Sequence, residues 1–377
     1  MKKLVVISAL SALRGGGQTY IINFLKHLPK GNFKIKLLAC TENEKAFEPY
    51  LSERVELYVV RWASRGVIYR AFWERFILPR NLKEWCVDVY YAPGGVMTTK
   101  VPKGCIGATA LRNMLPFDET ERKRFPLFSY IRFKLWLLKR VFLKSYKMAD
   151  KVVFISNYSL RQVEKYIPGI DKKSCVIPHG LNELFLKGNS DYELPDYLEK
   201  GQFYLYVSIL DVYKAQKEVV KAWEILSEKG FCYPLVLAGP KYSAYGEAVC
   251  EQIEDKKLEG KVYYLGKVDY EKLPGLYKSA RGLVFASSCE CCPNILLEKL
   301  SAGKTVFCSN YQPMPEFGQD AVTYFDPYNP QDLAEKVFSL ELSPSQLEKM
   351  GHRAYKQALK FDWDKTVKKT FDFLLDN

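Results

Sequence analysis

The distribution of apolar residues along the chain predicts short buried strands that alternate with helices. Strands are predicted at residues 4–7, 33–38, 55–60, 87–91, 151–155, 174–177, 204–208, 233–238, 261–265, 282–286, 305–308 and 321–325. Many are apolar at successive positions, as a parallel sheet covered on both faces requires. Helical spacing falls between them, for example at residues 18–26, 217–227, 248–255 and 274–279. This alternation predicts an α/β protein with doubly wound sheets.

The length of 377 residues corresponds to about two domains. A stretch without a strong period, containing Gly188, Asn189, Ser190 and Pro195, is interpreted as the linker. The predicted parts are a first domain at residues 1–180, a linker at 181–200, a second domain at 201–360 and a helix at 361–377 that returns to the first domain. We expect two Rossmann-like domains that face each other across a cleft, with the ligand at the carboxyl ends of both sheets.

The composition is that of a globular protein, with 48% hydrophobic and 26% charged residues. The basic and apolar start resembles a signal peptide. However, it lacks a clear cleavage site and runs directly into Arg14 and three glycines, so we interpret it as a first strand and a turn. No apolar run reaches the ~18 residues of a membrane span. We interpret scattered cysteines as buried, reduced thiols of a cytoplasmic protein, namely Cys40, Cys86, Cys105, Cys175, Cys232, Cys250 and Cys308.

The formal net charge of +13 is unevenly distributed. Residues 1–180 hold 32 Lys and Arg against 14 Asp and Glu, whereas residues 181–377 hold 24 against 29. Such asymmetry indicates an anionic partner for the first half, which could be membrane lipid, nucleic acid or an acidic substrate.

Residues 121–147 concentrate this charge, with nine Lys and Arg interleaved with Phe, Tyr, Trp and Leu. A basic and aromatic surface suits an anionic membrane face; an ordinary core-facing helix with a solvated basic face is equally compatible. Nucleic acid is not expected as a partner, because no recognised nucleic-acid module accompanies the charges. We therefore expect a cytoplasmic protein that lies peripherally on the inner membrane face.

The candidate chemistry lies after the predicted strand 282–286. Glu290 follows this strand in a loop, and Pro293 is expected to begin a helix, where its missing N–H is not needed. Backbone N–H groups of the segment that includes Asn294 and Ile295 would form an anion site suited to a diphosphate. Taken alone, Glu290 is better explained as a charge at a helix N-terminus, and Glu298 as an exposed helical residue paired with a neighbouring lysine.

The wider segment resembles the signature of family 4 glycosyltransferases. Glu290 and Glu298 are separated by seven residues that include Pro-Asn-Ile-Leu-Leu, and Ala-Gly-Lys-Thr-Val follows. The family has the GT-B fold; its first glutamate contacts the donor sugar and its second contacts the ribose of the nucleotide. The resemblance therefore implies that Glu290 acts at the donor sugar and that Glu298 binds the nucleotide.

Other landmarks of the resemblance follow strands along the chain. Lys214, after the predicted strand 204–208, matches the phosphate-binding lysine of the family, but Ile209 stands where the family usually has an arginine. Gly16 and Gly17, after the first strand, match a loop at the donor–acceptor junction. Their glycine-rich turn is not a dinucleotide-binding fingerprint.

The acceptor side departs from the family pattern. Arg112 and Asn113 occupy the place where the family often has a His-Asp pair. A mechanism that needs this histidine is therefore not implied for this chain.

The resemblance implies a retaining transferase, with Glu290 and Lys214 as catalytic residues. It would move a sugar from a nucleoside-diphosphate sugar, UDP first and GDP next, to a glycan or lipid-linked acceptor in cell-surface polysaccharide or lipopolysaccharide synthesis. No cofactor or metal is expected, because Lys214 and helix N–H groups would meet the diphosphate charge; Cys289, Cys291 and Cys292 lack a fourth zinc ligand nearby. Three alternatives remain: a nucleotide-sugar epimerase, a nucleotide-dependent dehydrogenase and a non-catalytic nucleotide-sugar-binding protein.

Overall fold

The computed structural model describes residues 2–13, 15–187 and 192–376. The chain forms two compact units. The first consists of Met1–Gly180 together with Asp362–Asn377, and the second of Leu181–Phe361.

A parallel sheet of seven strands organises the described residues of the first unit, in the order β3-β2-β1-β4-β5-β6-β7. The strands are β1 (Lys3–Ser8), β2 (Phe33–Ala39), β3 (Val55–Val59), β4 (Val89–Ala92), β5 (Ile106–Leu111), β6 (Lys151–Phe154) and β7 (Ser174–Val176). The helices are α1 (Gly16–Lys26), α2 (Glu44–Phe47), α3 (Val67–Phe72), α4 (Leu78–Glu84), α5 (Glu119–Arg124), α6 (Tyr130–Met148) and α7 (Asn157–Glu164). Shorter turns are 3-10 at Glu48–Tyr50, Ala63–Arg65 and Ile170–Lys173, and π-helical at Trp73–Ile77.

Strand β5 was absent from the sequence-based prediction, although it lies inside the first sheet between β4 and β6. Gly107, Ala108 and Ala110 give it little of the apolar, β-branched character by which strands are recognised. Ala108 and Ala110 are nevertheless fully buried. Small side chains therefore fill this inner strand of the sheet.

The second unit is built on a parallel sheet of six strands within its described residues, in the order β10-β9-β8-β11-β12-β13. The strands are β8 (Tyr204–Val207), β9 (Leu235–Ala238), β10 (Val262–Tyr264), β11 (Gly282–Phe285), β12 (Thr305–Ser309) and β13 (Thr323–Phe325). The helices are α8 (Glu183–Lys187), α9 (Gln216–Glu228), α10 (Ala244–Ile253), α11 (Leu273–Ser279), α12 (Asn294–Ser301), α13 (Met314–Gly318), α14 (Pro330–Glu341) and α15 (Pro344–Ala358). Turns of 3-10 helix lie at Val212–Lys214, Lys256–Leu258 and Tyr270–Lys272.

The last helix, α16 (Trp363–Leu375), belongs to the first unit. Its buried face joins the core beside β1 and α1 through Trp363, Val367, Phe371 and Leu374. The ring of Phe371 stacks on Phe33, with 4.5 Å between ring centres. The chain thus returns to its first unit after completing the second.

The segment interpreted as the linker includes α8, which is part of the second unit. Phe185 of this helix is buried and packs edge-on against Tyr270, with 5.3 Å between ring centres. Gly188, Asn189 and Ser190 lie outside the described residues.

The prediction of buried cysteines was wrong for Cys86 and Cys232, which are exposed. Cys86 sits in the turn after α4 with a φ of 52°, and Cys232 follows α9 in a loop. Apolar neighbours in the sequence do not bury a residue that lies in a surface turn. None of the helices in the described residues combines the length and the apolar character that crossing a membrane needs.

Candidate functional site

The two central strands of the second sheet, β8 and β11, bring the first candidate residues together. They are parallel neighbours, with Gly282 opposite Tyr204. The strand order reverses here, so the loops that follow their carboxyl ends diverge and leave a crevice, the usual ligand position in such sheets. Lys214 ends the 3-10 turn after β8, and Glu290 lies in the loop between β11 and α12.

Lys214 and Glu290 form an ion pair in which the Lys214 ammonium donates to Glu290 Oε1. The exposed fractions of their side chains are 5% and 18%. Lys214 is therefore buried and not a solvated surface lysine. Its backbone carbonyl also accepts a 2.6 Å hydrogen bond from the buried Tyr206 hydroxyl. The arrangement presents a positive charge and a carboxylate side by side, which suits a phosphate next to a sugar hydroxyl.

The loops that carry the pair are tied to each other. The Ser288 N–H donates to the Tyr213 carbonyl at 2.9 Å. On the other side of the β8 loop, Gly239 has a φ of +142°, and a Cβ there would lie 1.9 Å from the Ser208 carbonyl oxygen. Only glycine permits this approach.

Helix α12 begins at Asn294, and Pro293 is its N-cap rather than its first residue. The predicted anion site is smaller than expected. Pro293 has no N–H, and the Asn294 N–H donates to the Cys292 carbonyl at 2.9 Å. The Pro293 carbonyl accepts from the Leu296 N–H, which closes the first turn. Ile295, the other predicted residue, lies in the first turn of α12.

Glu298 lies within α12 and is buried, with 7% of its surface exposed. The Tyr270 hydroxyl donates to Glu298 Oε1 at 2.9 Å. Burial raises the pKa of Glu298 to about 7, against the opposing effect of this hydrogen bond. The alternative of an exposed glutamate paired with a lysine on the helix surface is therefore wrong. Tyr270, 28 positions away, carried no sequence signal for this role.

Lys299 is a second buried charge that the sequence did not single out. Its ammonium donates to the Val207 carbonyl at 2.9 Å and lies 4.8 Å from the ring centre of Tyr206. Burial lowers its pKa well below the usual value, while the charges of Glu298 and Glu290 oppose this effect. Both candidate carboxylates are thus close enough to act on one buried lysine. Apolar residues on both sides of it in the helix were the available signal.

In the first unit, Gly16 and Gly17 are exposed at the start of α1, after Gly15 with a φ of 62°. Arg14 lies outside the described residues. Arg112 follows β5, and its guanidinium covers the Tyr20 ring of α1, 2.9 Å from the ring centre. The structure thus joins Arg112 to the glycine-rich turn through α1.

Asn113 is exposed, and its side-chain oxygen accepts a 3.2 Å hydrogen bond from the Leu115 N–H. This contact shapes the turn after β5. No group of three or more His, Cys, Asp or Glu able to hold a metal occurs among the described residues.

Sequence comparisons cover both units. Residues 14–183 match the profile described as Glycosyltransferase Family 4, and residues 196–357 match that of Glycosyl transferases group 1. This chain belongs to the family 4, group 1 glycosyltransferases. The predicted GT-B fold is confirmed by solved structures. A glycosyltransferase from Rickettsia africae gives a TM-score of 0.73 at 17% identity over 100% of both chains. Anabaena HepE in complex with UDP gives 0.70 at 16% identity over 99% of both.

Among curated relatives of this glycosyltransferase chain, O-antigen chain mannosyltransferase B of Escherichia coli is 31% identical over 170 residues. The match covers 45% of this chain and 44% of the relative, so the chain spans less than half the length of that protein.

The family pattern is interrupted at two described positions. Ile209 offers no cation where a glycosyltransferase of this family usually has one; its carbonyl accepts a 2.7 Å hydrogen bond from Gln216. Arg112 stacks on Tyr20 where a histidine is usual. Both positions keep a structural role.

Proposed function

We propose that this chain is a retaining glycosyltransferase that uses a nucleoside-diphosphate sugar. The observation that carries the proposal is the ion pair of the buried Lys214 with the partly exposed Glu290, beside the reversal of strand order in the second sheet. A structural ion pair could lie anywhere in the core. One at the carboxyl edge of the two central strands lies where ligands of such sheets bind.

Each charged group has a proposed partner on the donor. Lys214 and the Ile295 N–H bind the diphosphate, and Glu290 accepts a hydrogen bond from a hydroxyl of the donor sugar. Glu298 accepts from the ribose hydroxyls. Arrival of the diphosphate gives Lys214 a second anion, which releases Glu290 toward the sugar.

The chemical step follows from the same groups. Departure of the nucleoside diphosphate places new negative charge on its outer phosphate, and a preorganised, partly dry cation stabilises that charge. We propose that the acceptor hydroxyl attacks the anomeric carbon on the face from which the diphosphate leaves, while the bond from this carbon to the phosphate oxygen breaks and the hydroxyl proton passes to that oxygen. Attack on this face retains the configuration of the sugar. Neither a metal nor another cofactor takes part in this proposal.

The nucleotide and the sugar are supported by different relatives. The Anabaena structure holds UDP, which supports a UDP-sugar; GDP is the next candidate. The E. coli relative is named as a mannosyltransferase of the O-antigen chain, which supports a hexose donor and cell-surface polysaccharide or lipopolysaccharide synthesis.

The acceptor is proposed to be a glycan or a lipid-linked sugar near an anionic membrane surface. Helix α6 buries Leu135 and Phe142, yet it exposes Phe133 by 60% and Trp136 by 41%. Phe128, just before the helix, is 96% exposed. The helix therefore has a core-facing side and a side with exposed aromatic rings, and the exposed side suits the membrane interface.

A donor screen tests the proposal. Among UDP, GDP, TDP and ADP sugars, those with one nucleotide should raise the melting temperature of the purified chain most. The chain should also hydrolyse this nucleotide sugar slowly when no acceptor is present. Glu290→Gln is the matched control, which should still bind but hydrolyse far more slowly. Binding without turnover of any donor, with or without extracted lipid acceptors, would instead identify a non-catalytic binding protein.

A further inference from the structure

A groove opens in the helical layer of the first unit. The connection from β4 to β5, residues 93–105, contains no helix, although β3 to β4 and β5 to β6 are joined through helices. A cavity of about 690 Å³ lies between α3 with its π-helical continuation on one side and the second half of α6 on the other. This volume is in the range of small-molecule sites, about 300–1,000 Å³.

The walls of the groove consist largely of apolar side chains, several of which are exposed to solvent. Ile68, Phe72 and Phe76 are 83%, 47% and 58% exposed, and all three line the cavity. Met97 is buried in the cavity wall, and Val141 contributes from α6. Clusters of exposed large apolar side chains mark binding surfaces far more often than isolated ones do.

Three cations complete the lining, namely Arg75, Lys100 and Lys144, and all are exposed. The described residues that line the groove include no Asp or Glu. Glu74, next in the chain to Arg75, is buried and accepts a hydrogen bond from Thr98 at 3.3 Å. The groove therefore combines an apolar interior with uncompensated positive charge.

We propose that this groove binds the hydrocarbon chain of a phosphate-bearing lipid, with the phosphate held by Arg75, Lys100 and Lys144. A free sugar phosphate would leave the apolar walls in water, and an uncharged lipid would leave the cations without a partner. The basic and aromatic start of α6 brings the same unit to a lipid surface. The link to a lipid-linked acceptor rests on the proposed function, whereas lipid binding itself is independent of the donor site.

Calorimetric titration of the full chain with dodecyl phosphate, below its micelle concentration and without nucleotide, tests the proposal. Saturable one-site binding is expected, at least about tenfold tighter than that of dodecyl maltoside or inorganic phosphate. Equal affinity for dodecyl maltoside, or no saturable binding of dodecyl phosphate, would overturn the proposal.

Substitutions locate the site. Ala71 lines the groove and is exposed, so Ala71→Trp should fill the groove without disturbing the core and weaken binding by at least about tenfold. Ala244→Trp, on the exposed start of α10, is the size-matched control. Lys100→Glu with Lys144→Glu should weaken binding similarly, whereas exposed Lys30→Glu with Lys34→Glu should not.

Unchanged binding in a folded Ala71→Trp variant would refute the assignment. So would a dimer of the wild-type chain that Ala71→Trp dissociates in sedimentation, since a second copy would then occupy the groove. All variants should keep the nucleotide response of the wild type; its absence even in the wild type would count against the donor site alone.

Discussion

At the scale of single residues, Glu298 is a carboxyl group whose pKa its surroundings raise. Burial raises its pKa to about 7, and the Tyr270 hydroxyl keeps one oxygen occupied. Its charge, and with it its ability to accept from ribose hydroxyls, therefore changes within the physiological range.

We expect the affinity for UDP to increase with pH up to about 7 and then to level off, because only the ionised Glu298 is a full acceptor. Below pH 7, the affinity for UDP should increase by up to about tenfold per pH unit. Calorimetry from pH 5.5 to 8.5 on the wild type and Glu298→Gln measures it. The difference between the two proteins removes the titration of UDP itself, and parallel pH curves would contradict the assignment.

The same shift affects stability with a defined sign. The folded pKa lies above the unfolded value of about 4.3, so the folded state binds more protons between these values. The free energy of unfolding of the wild type, relative to Glu298→Gln, should therefore decrease from about pH 4.5 to pH 7 and stay constant above.

The Lys214–Glu290 pair gives a second residue-scale prediction. Glu290→Gln should lower turnover by about 100-fold or more while changing the UDP dissociation constant little, and Lys214→Met should weaken UDP binding. Each single change also leaves a largely buried polar group without its partner and should cost stability, about 3 kcal/mol at most given the partial exposure of Glu290.

The double variant Lys214→Met/Glu290→Gln should recover part of that stability without recovering turnover. The exposed pair of Lys241 and Glu247, 2.7 Å apart, is the matched control. Lys241→Met/Glu247→Gln should leave the stability nearly unchanged, because exposed ion pairs contribute little. If the Glu290→Gln variant turns over the donor as fast as the wild type, the proposed catalytic role of Glu290 is wrong.

At the scale of elements, α16 shows how distant segments form one core. Asp362 caps the helix by accepting from the Asp364 N–H at 2.7 Å. The ring of Phe371, 2% exposed, packs between Phe24 and Phe33. The core of the first unit is therefore incomplete without α16.

We expect Phe371→Ala to destabilise the first unit by about 3–5 kcal/mol, because a large buried ring leaves a cavity. Urea unfolding measures the loss, and the UDP response of the second unit should persist. Tyr355→Ala on the exposed side of α15 is the control. A loss below about 1 kcal/mol would mean that α16 contributes little to this core.

At the scale of the whole molecule, the basic first half of the chain also carries an exposed aromatic surface at the start of α6. The excess of positive charge in residues 1–180 coincides with exposed aromatic side chains at the start of α6. The rings of Phe133 and Trp136 stack on each other, 5.8 Å apart, in the outward direction. Charge and apolar surface together favour an anionic interface.

Flotation with vesicles that contain anionic phosphatidylglycerol should recover the chain at low salt and progressively less at high salt, since screening weakens the attraction. Neutral phosphatidylcholine vesicles should recover little. Phe133→Ser with Trp136→Ser should reduce flotation severalfold, whereas Tyr242→Ser, an exposed tyrosine of the second unit, should not. No flotation with anionic vesicles at low salt would refute membrane docking through residues 121–147.

The sequence by itself determined the architecture and the family of this protein. Strands covered on both faces need continuous apolar runs, and the motif around Glu290 and Glu298 depends on residues that are contiguous in the chain. Strand β5 was missing from the prediction because its small residues do not form the apolar, β-branched run by which strands are recognised.

Only the tertiary structure decided which charges are buried and what they contact. The Lys214–Glu290 pair spans 76 positions and exists because β8 and β11 are neighbours. The raised pKa of Glu298 comes from its burial, which the hydrogen bond from the Tyr270 hydroxyl only partly offsets. The groove of about 690 Å³ in the first unit lies where one connection of the sheet carries no helix. Desolvation and the pairing of distant strands are properties of packing, which local sequence patterns do not encode.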